Sequence, residues 1–478
     1  MELHIDLQKE KEMDKRIIAL CGLLATIFSI VSSLVAVRFY SNYYVSNEFG
    51  LIGAPIILVA IIQFLDLGLS TYTNRVFYNE ENEVELFSLV VVYLSVILVG
   101  TVLTLAIFFF ANKISSMKII AALFATCFAQ ACNVYLSNLM ILNGRQLNSY
   151  LIQFIFSIVL VSASAIAVNY NFQIQETLLV ISAINLLRMI VLMGCNNLIN
   201  PGFLVETISE LKKIKILIKK SFETYKMNLV VGIGFQADKY IAANLMPMGA
   251  LGGYSMVNQF ANGATLFAPS ISNYFSSELV KNKSSRATAV AKTMKLLGNI
   301  AIPIFIVIEI NTDAILMLWL GNAQLVQKLS LPALFVTAGA MLNALTIPLF
   351  GYLIAERAEK KMRNMFTKLL ILCVPITLLL VSKYELIGAS ISFFVYNVMY
   401  VFLISKLVNK SKIGRQYIEE LISRHNIIEI SANVGFNAML SIVLYYANIN
   451  NVLSIIFCFS GLLLSISVFL AKNKSTYE

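Results

Sequence analysis

Apolar runs of about 20 residues recur along the whole chain, each closed off by a short polar or basic gap. They cover 17–37, 50–70, 86–110, 117–142, 151–168, 177–195 and 227–246, and then 253–275, 296–320, 329–354, 366–381, 386–408, 427–447 and 452–470. A helix rises about 1.5 Å per residue and the hydrocarbon of a bilayer is about 30 Å thick, so each run is near the length that crosses once. The pattern predicts an all-α integral membrane protein of about fourteen spans with no soluble domain of any size.

The longest polar gap, 196–226, holds Lys212, Lys213, Lys215, Lys219, Lys220 and Lys226. It divides the chain into an N-terminal six-helix bundle (1–195), a basic cytoplasmic linker (196–226), a second six-helix bundle (227–408) and two additional helices with a tail (409–478). Topology and contact with anionic headgroups account for those lysines without further function. A faint repeat agrees with two bundles. The second span, opening on Gly50, aligns with the eighth, opening on Gly253, and both run in the same direction.

Sidedness follows from Lys and Arg, which collect in cytoplasmic loops. With the N-terminus inside, 29 of the 36 cationic residues fall in segments and span ends on the inner side. Only Arg38, Lys113, Lys118, Lys328 and Lys383 fall outside, and Arg188 and Lys239 lie within spans. Both termini are expected in the cytoplasm, in a bacterial inner membrane. The polar start, MELHIDLQKEKEMDKR, precedes a full-length apolar run with no small-residue cleavage site after it, which predicts an uncleaved first span.

Composition agrees: 58% hydrophobic, 13% charged, against roughly 25% charged in a soluble domain. The net charge of +10 is spread through short gaps, which argues against a nucleic-acid partner. Six cysteines without paired spacing read as small core residues, and the two histidines, His4 and His425, lie outside the apolar runs. No metal, cofactor or histidine base is expected within the membrane.

A charge in mid-membrane costs a few kcal/mol or more unless it meets water or a partner, so each one calls for a reason. Arg188 lies midway along the sixth span, Asp238 and Lys239 midway along the seventh, and Glu309 in the ninth with Asp313 one turn further out. Asp66 lies toward the cytoplasmic end of the second span, Arg38 at the outer end of the first, and Glu429 near the inner end of the thirteenth. Adjacent residues project about 100° apart on a helix, so Asp238 and Lys239 each need another helix or water. A polar cavity would serve, and so would an interhelical pair such as Asp238 with Arg188. For Asp66, Asp313 and Glu429, solvation or capping at helix ends is sufficient. Pro55, Pro269, Pro303, Pro332, Pro348 and Pro375 interrupt spans, and Gly232, Gly234, Gly249, Gly252, Gly253 and Gly263 crowd the seventh and eighth, as in bundles that rock.

The stretch Asn47-Glu-Phe-Gly-Leu, followed by Phe64-Leu-Asp-Leu-Gly-Leu-Ser and Asn74-Arg75, resembles the first two helices of the Wzx-type O-antigen and polysaccharide flippases. These belong to the multidrug/oligosaccharidyl-lipid/polysaccharide (MOP) exporter superfamily. Asp238-Lys239-Tyr with Gly252-Gly253-Tyr254-Ser resembles that family's seventh and eighth helices, Ala314 to Gly321 the end of its ninth, and Gly351 to Arg357 its turn before a basic loop. The resemblance covers about residues 17–408. It implies two six-helix bundles in a V-shaped, MATE-like arrangement around a cationic cavity. The implied substrate is an undecaprenyl-diphosphate-linked oligosaccharide repeat unit, carried from the cytoplasmic to the periplasmic leaflet by alternating access. Arg188, Lys239 and Arg38 are the matching substrate-binding residues, and Asp238, Glu309 and Asp66 those for coupling to a proton or sodium ion.

Two features depart from the family's pattern: the additional C-terminal helices, and a thinly charged cavity that suits an uncharged glycan as well as an acidic one. A MATE-like drug exporter is the alternative, and mid-membrane cations argue mildly against it. An enzyme such as a membrane-embedded polysaccharide polymerase fits less well, because the outside loops are short and contain no histidine. Membrane lipids, a polymerase and glycosyltransferases are the expected partners.

Overall fold

The computed structural model describes residues 2–44, 46–64, 83–112, 116–142, 145–196, 198, 214–265, 286–356, 358–409 and 439. Asp66, Glu429, the start of the basic linker and nearly all of the thirteenth and fourteenth expected spans lie outside the described residues.

All regular structure among the described residues is helical: α1 (Glu2–Tyr43), α2 (Ser46–Phe64), α3 (Glu83–Asn112), α4 (Met117–Leu142), α5 (Gln146–Asn169) and α6 (Ile174–Cys195). They are followed by α7 (Ile214–Leu245), α8 (Met248–Thr265), α9 (Arg286–Ile310), α10 (Thr312–Leu320), α11 (Ala323–Ala355) and α12 (Glu359–Asn409). Seven described helices are long and apolar enough to cross a membrane, or eight if the bent α9–α10 pair is one span. This is a multi-pass membrane protein.

Apolar runs end where local chemistry ends the helices. Asn171 takes φ 56° in the turn between α5 and α6, and the Gln173 N–H at the start of α6 donates to the Glu176 carboxylate (2.9 Å). At the other end of α6 the Arg145 guanidinium donates to the Cys195 carbonyl, a cation at a helix C-terminus. Asn322 caps α11 by accepting from the Gln324 and Leu325 N–H groups at 3.0 and 3.2 Å.

The ninth expected span has more shape than its hydropathy foretells, and the eleventh and twelfth run on from one another through a reversal. The ninth is broken by a 73° bend between α9 and α10. There Asn311 Nδ2 donates to the Val307 carbonyl (2.8 Å) and the Thr312 hydroxyl to that of Ile308 (2.9 Å). Side chains that bond back to the preceding turn compete with the helical ladder. The eleventh and twelfth spans are the two arms of α12, which reverses around Glu385 (φ 45°, ψ −117°). The arms meet at Phe366–Tyr400, ring centroids 5.3 Å apart, and at Cys373 Sγ–Met399 Sδ, 3.6 Å. A Cβ at Gly388 would lie 2.0 Å from the Leu380 carbonyl oxygen, so the reversal requires glycine there.

The chain divides into two compact units, Met1–Ser255 and Met256–Glu478. In the first, α1 packs along α5, α4 against α3 and α6, and α7 against α2 and α3. Lipid is as apolar as leucine, so close packing rather than exclusion from water must hold such helices together. Accordingly Gly22 sits against the Tyr150 ring, Phe28 packs on Phe154 at 4.4 Å, and Tyr93 stacks on Tyr135 at 3.8 Å. In the second unit α11 packs against α9, α10 and α12. Gly339 lets Phe393 approach, with the ring 2.8 Å from where a Cβ would stand.

Candidate functional site

The mid-membrane charges of the first unit are carried by α6 and α7. Asp238 is buried (6% exposed) and accepts a hydrogen bond from the hydroxyl of the fully buried Tyr254 on α8. The second helix that Asp238 needs is therefore α8, joined through a neutral phenol. Lys239, about 100° further round α7, is half-buried.

Arg188 on α6 is half-buried, and its Nε is buried with no hydrogen-bond partner among the described residues. Asp238 turns to Tyr254 and not to this guanidinium. One turn before Arg188, the Asn185 carbonyl accepts from Asn133 Nδ2 on α4 (3.1 Å), and Asn185 Nδ2 donates to the Ile181 carbonyl (2.9 Å). A polar seam thus runs between α4 and α6. Asn133 Oδ1, Ser137 Oγ and Thr126 Oγ1 on α4 and Gln236 Oε1 on α7 are also buried without a partner. A polar atom left unmet in a dry apolar interior costs about 1–3 kcal/mol. So many in one unit fit an interior that receives water or a polar ligand.

The amides Asn133, Asn185 and Gln236 are the members that charge counting overlooks. Their only signal in the sequence is a carboxamide in mid-span, far from any helix end. Tyr254 offers less still, since an aromatic in an apolar run reads as core.

In the second unit Glu309 lies in the last turn of α9, just before the bend, half-buried with its Oε1 unpartnered. Asp313 is exposed in the first turn of α10. Thr337 Oγ1 and Asn397 Oδ1 are also buried and unpartnered. Arg38 stands apart from these groups, exposed near the end of α1 beside an open groove of about 470 Å³ lined by Val35, Phe39, Asn42, Tyr43 and Val168.

α2 and α8 cross at backbone distance at their N-terminal ends. A Cβ on Gly50 would lie 2.1 Å from the Met248 carbonyl oxygen, one on Gly53 2.9 Å from Ser255, and one on Gly252 3.1 Å from Gly50. The Ser255 hydroxyl donates to the Gly53 carbonyl (2.8 Å). Small residues at both faces are what such an approach demands.

No protein-family model and no curated protein sequence matches the chain. Solved structures match by fold. "Lipid II flippase MurJ, inward closed conformation" superposes with TM-score 0.71 at 14% identity, over 95% of this chain and 99% of that one. A ligand-bound MATE multidrug transporter, DinF-BH, gives 0.57 at 13% identity over 84% of this chain and 95% of that one. An inward-facing multidrug resistance MATE family transporter of the MOP superfamily gives 0.54 at 12% identity over 81% and 99%. The chain shares its fold with these flippase and transporter structures.

Proposed function

We propose that this protein is a flippase that moves an undecaprenyl-diphosphate-linked oligosaccharide repeat unit from the cytoplasmic to the periplasmic leaflet by alternating access, in an inner membrane with both termini cytoplasmic. The observation that carries the reading is the Arg188 guanidinium, held in mid-membrane with its Nε buried and unmet. Arginine forks onto phosphate oxygens through paired hydrogen bonds, and a diphosphate would satisfy it where no described protein group does. Lys239 adds a second cation, and the unmet amide oxygens of Asn133 and Gln236 offer acceptors for sugar hydroxyls. The reading is supported by the fold shared with a structure named as a lipid II flippase.

Asp238 and Glu309, with Asp66, are the carboxylates proposed to couple transport to a proton or sodium ion. The rocking bodies would be the six-helix bundles 1–195 and 227–408. A polymerase and glycosyltransferases would supply and consume the lipid-linked unit.

Deletion of the gene in a strain that makes the glycan tests the proposal. The expected result is loss of surface polymer with accumulation of the lipid-linked precursor. Normal polymer together with hypersensitivity to cationic drugs would replace it with a small-molecule exporter.

A further inference from the structure

The contact between α4 and α6 is made by two amides, and each uses only its nitrogen. Asn133 Nδ2 on α4 donates to the Asn185 carbonyl on α6 (3.1 Å). Asn196 Nδ2, just past the end of α6, donates to the Leu136 carbonyl on α4 (3.2 Å) and to that of Leu192 (2.8 Å). The oxygens of the same two amides, Asn133 Oδ1 and Asn196 Oδ1, are buried with no hydrogen-bond partner among the described residues, and so is Ser137 Oγ. Asn133 is 3% exposed, so bulk solvent does not reach it. Ser137 follows Asn133 by one turn, about 40° further round α4 and about 6 Å along it. It also adjoins Leu136, whose carbonyl holds the Asn196 amide. Three unmet oxygens therefore lie within one contact, at a spacing that water spans with hydrogen bonds of about 2.8 Å each.

We infer that the α4–α6 contact binds internal water, held by Asn133 Oδ1, Ser137 Oγ and Asn196 Oδ1. An amide oxygen only accepts, and the serine hydroxyl brings a single proton, so these groups cannot satisfy one another. Water brings two protons and accepts in return, which completes the set and bridges the two helices. A bare cation would suit three oxygens as well, but it would lack a counter-charge. The only carboxylate on α4 or α6 is Glu176, which caps the far end of α6. The inference uses neither Arg188 nor the glycan. A sugar hydroxyl at Asn133 would take the place of the water there, and the test is made without substrate, so its failure leaves the flippase reading standing.

The full chain, purified and reconstituted in nanodiscs, is footprinted by X-ray pulses that generate hydroxyl radicals from water in place, and oxidised side chains are quantified by mass spectrometry. Leu136 and Leu192, both fully buried, are the reporters, because the carbonyls of both accept from Asn196. They should be oxidised several-fold faster than Leu58 on α2 and Leu369 on α12, which are equally buried. Ser137→Ala and Asn133→Leu should lower the two rates toward those of Leu58 and Leu369. Equal rates for all four leucines in the wild type would overturn the inference, as would unchanged rates in both variants. Oxidation that falls when sodium replaces N-methylglucamine in the buffer would also overturn it, making this a cation site. If Asn133→Leu does not fold, Ser137→Ala carries the test, with slower oxidation expected and an unchanged rate overturning the inference.

Discussion

The two units have the same kind of architecture and different interiors. The first holds Arg188, Asp238 and Lys239 in mid-membrane, with amide and hydroxyl atoms that find no partner. The second, among its described residues, holds the carboxyl of Glu309 with the unpartnered Thr337 hydroxyl and Asn397 amide oxygen but no mid-span cation, and its α11–α12 contact includes Gly339 against Phe393 and Phe335 against Phe394. The contrast bears on where the proposed flippase would hold an anionic headgroup. Phosphate requires cationic donors free of competing carboxylates, and Asp238 is occupied by Tyr254 rather than by Arg188. The phenolic bond ties the acid to α8, and the Arg188 Nε meets no partner among the described residues.

The largest effect should come from Arg188→Ala, which removes charge-assisted hydrogen bonds worth about 1.5–3 kcal/mol and should slow translocation of the lipid-linked glycan between about tenfold and a hundredfold. Membrane insertion should be normal, and Glu309→Ala should leave binding of the glycan lipid intact. An equal loss of binding in both variants would erase the distinction between the units.

Next come the glycines. Gly50→Leu places its side chain on the backbone carbonyl of Met248, 2.1 Å from a Cβ, whereas at Gly339 the nearest atoms belong to the Phe393 side chain and the nearest backbone atom, the Phe394 Cα, is 3.2 Å away. Overpacking costs about 1–3 kcal/mol, with the first variant at the top of that range and the second at the bottom. Thermal unfolding of the purified proteins in detergent measures the gap, and the reverse order would refute the assignment of the α2–α8 crossing as the tighter contact.

Tyr254→Phe leaves the Asp238 carboxylate buried without its donor, at about 1–3 kcal/mol. Adding Asp238→Leu should recover part of the loss, since replacing both partners with apolar groups avoids the stranded charge. No recovery in the double variant would mean that the pair does not act as a unit.

The smallest effect on stability should be that of Glu309→Gln, which keeps the shape and removes the charge, within about 0.5 kcal/mol. Its value lies in a different readout: if Glu309 couples transport, the variant should lose dependence on the proton or sodium gradient, and an unchanged ion dependence would exclude it.

Much of this architecture was legible because a span must be about 20 apolar residues long whatever surrounds it. The fourth expected run, 117–142, coincides with α4 to the residue. Arg188 and the Asp238–Lys239 pair were conspicuous for the same reason, since hydrocarbon tolerates few charges. Asn133 and Gln236 were harder to see, because uncharged amides are cheap enough in a span to pass as packing. The bend at Asn311 escaped hydropathy altogether, since back-bonding by Asn311 and Thr312 changes direction without changing polarity.

Residue order alone settles that the chain lives in a membrane, roughly where its spans lie, and which charges need an explanation. Solvent transfer depends on composition over a short window, and that information is local. It takes the folded arrangement to settle that Tyr254 rather than Arg188 meets Asp238, that α7 packs on α2 and α3, and that Gly50 and Gly252 let two backbones touch. Those outcomes depend on which surfaces come within a few ångströms of one another, and the distance along the chain carries no record of that.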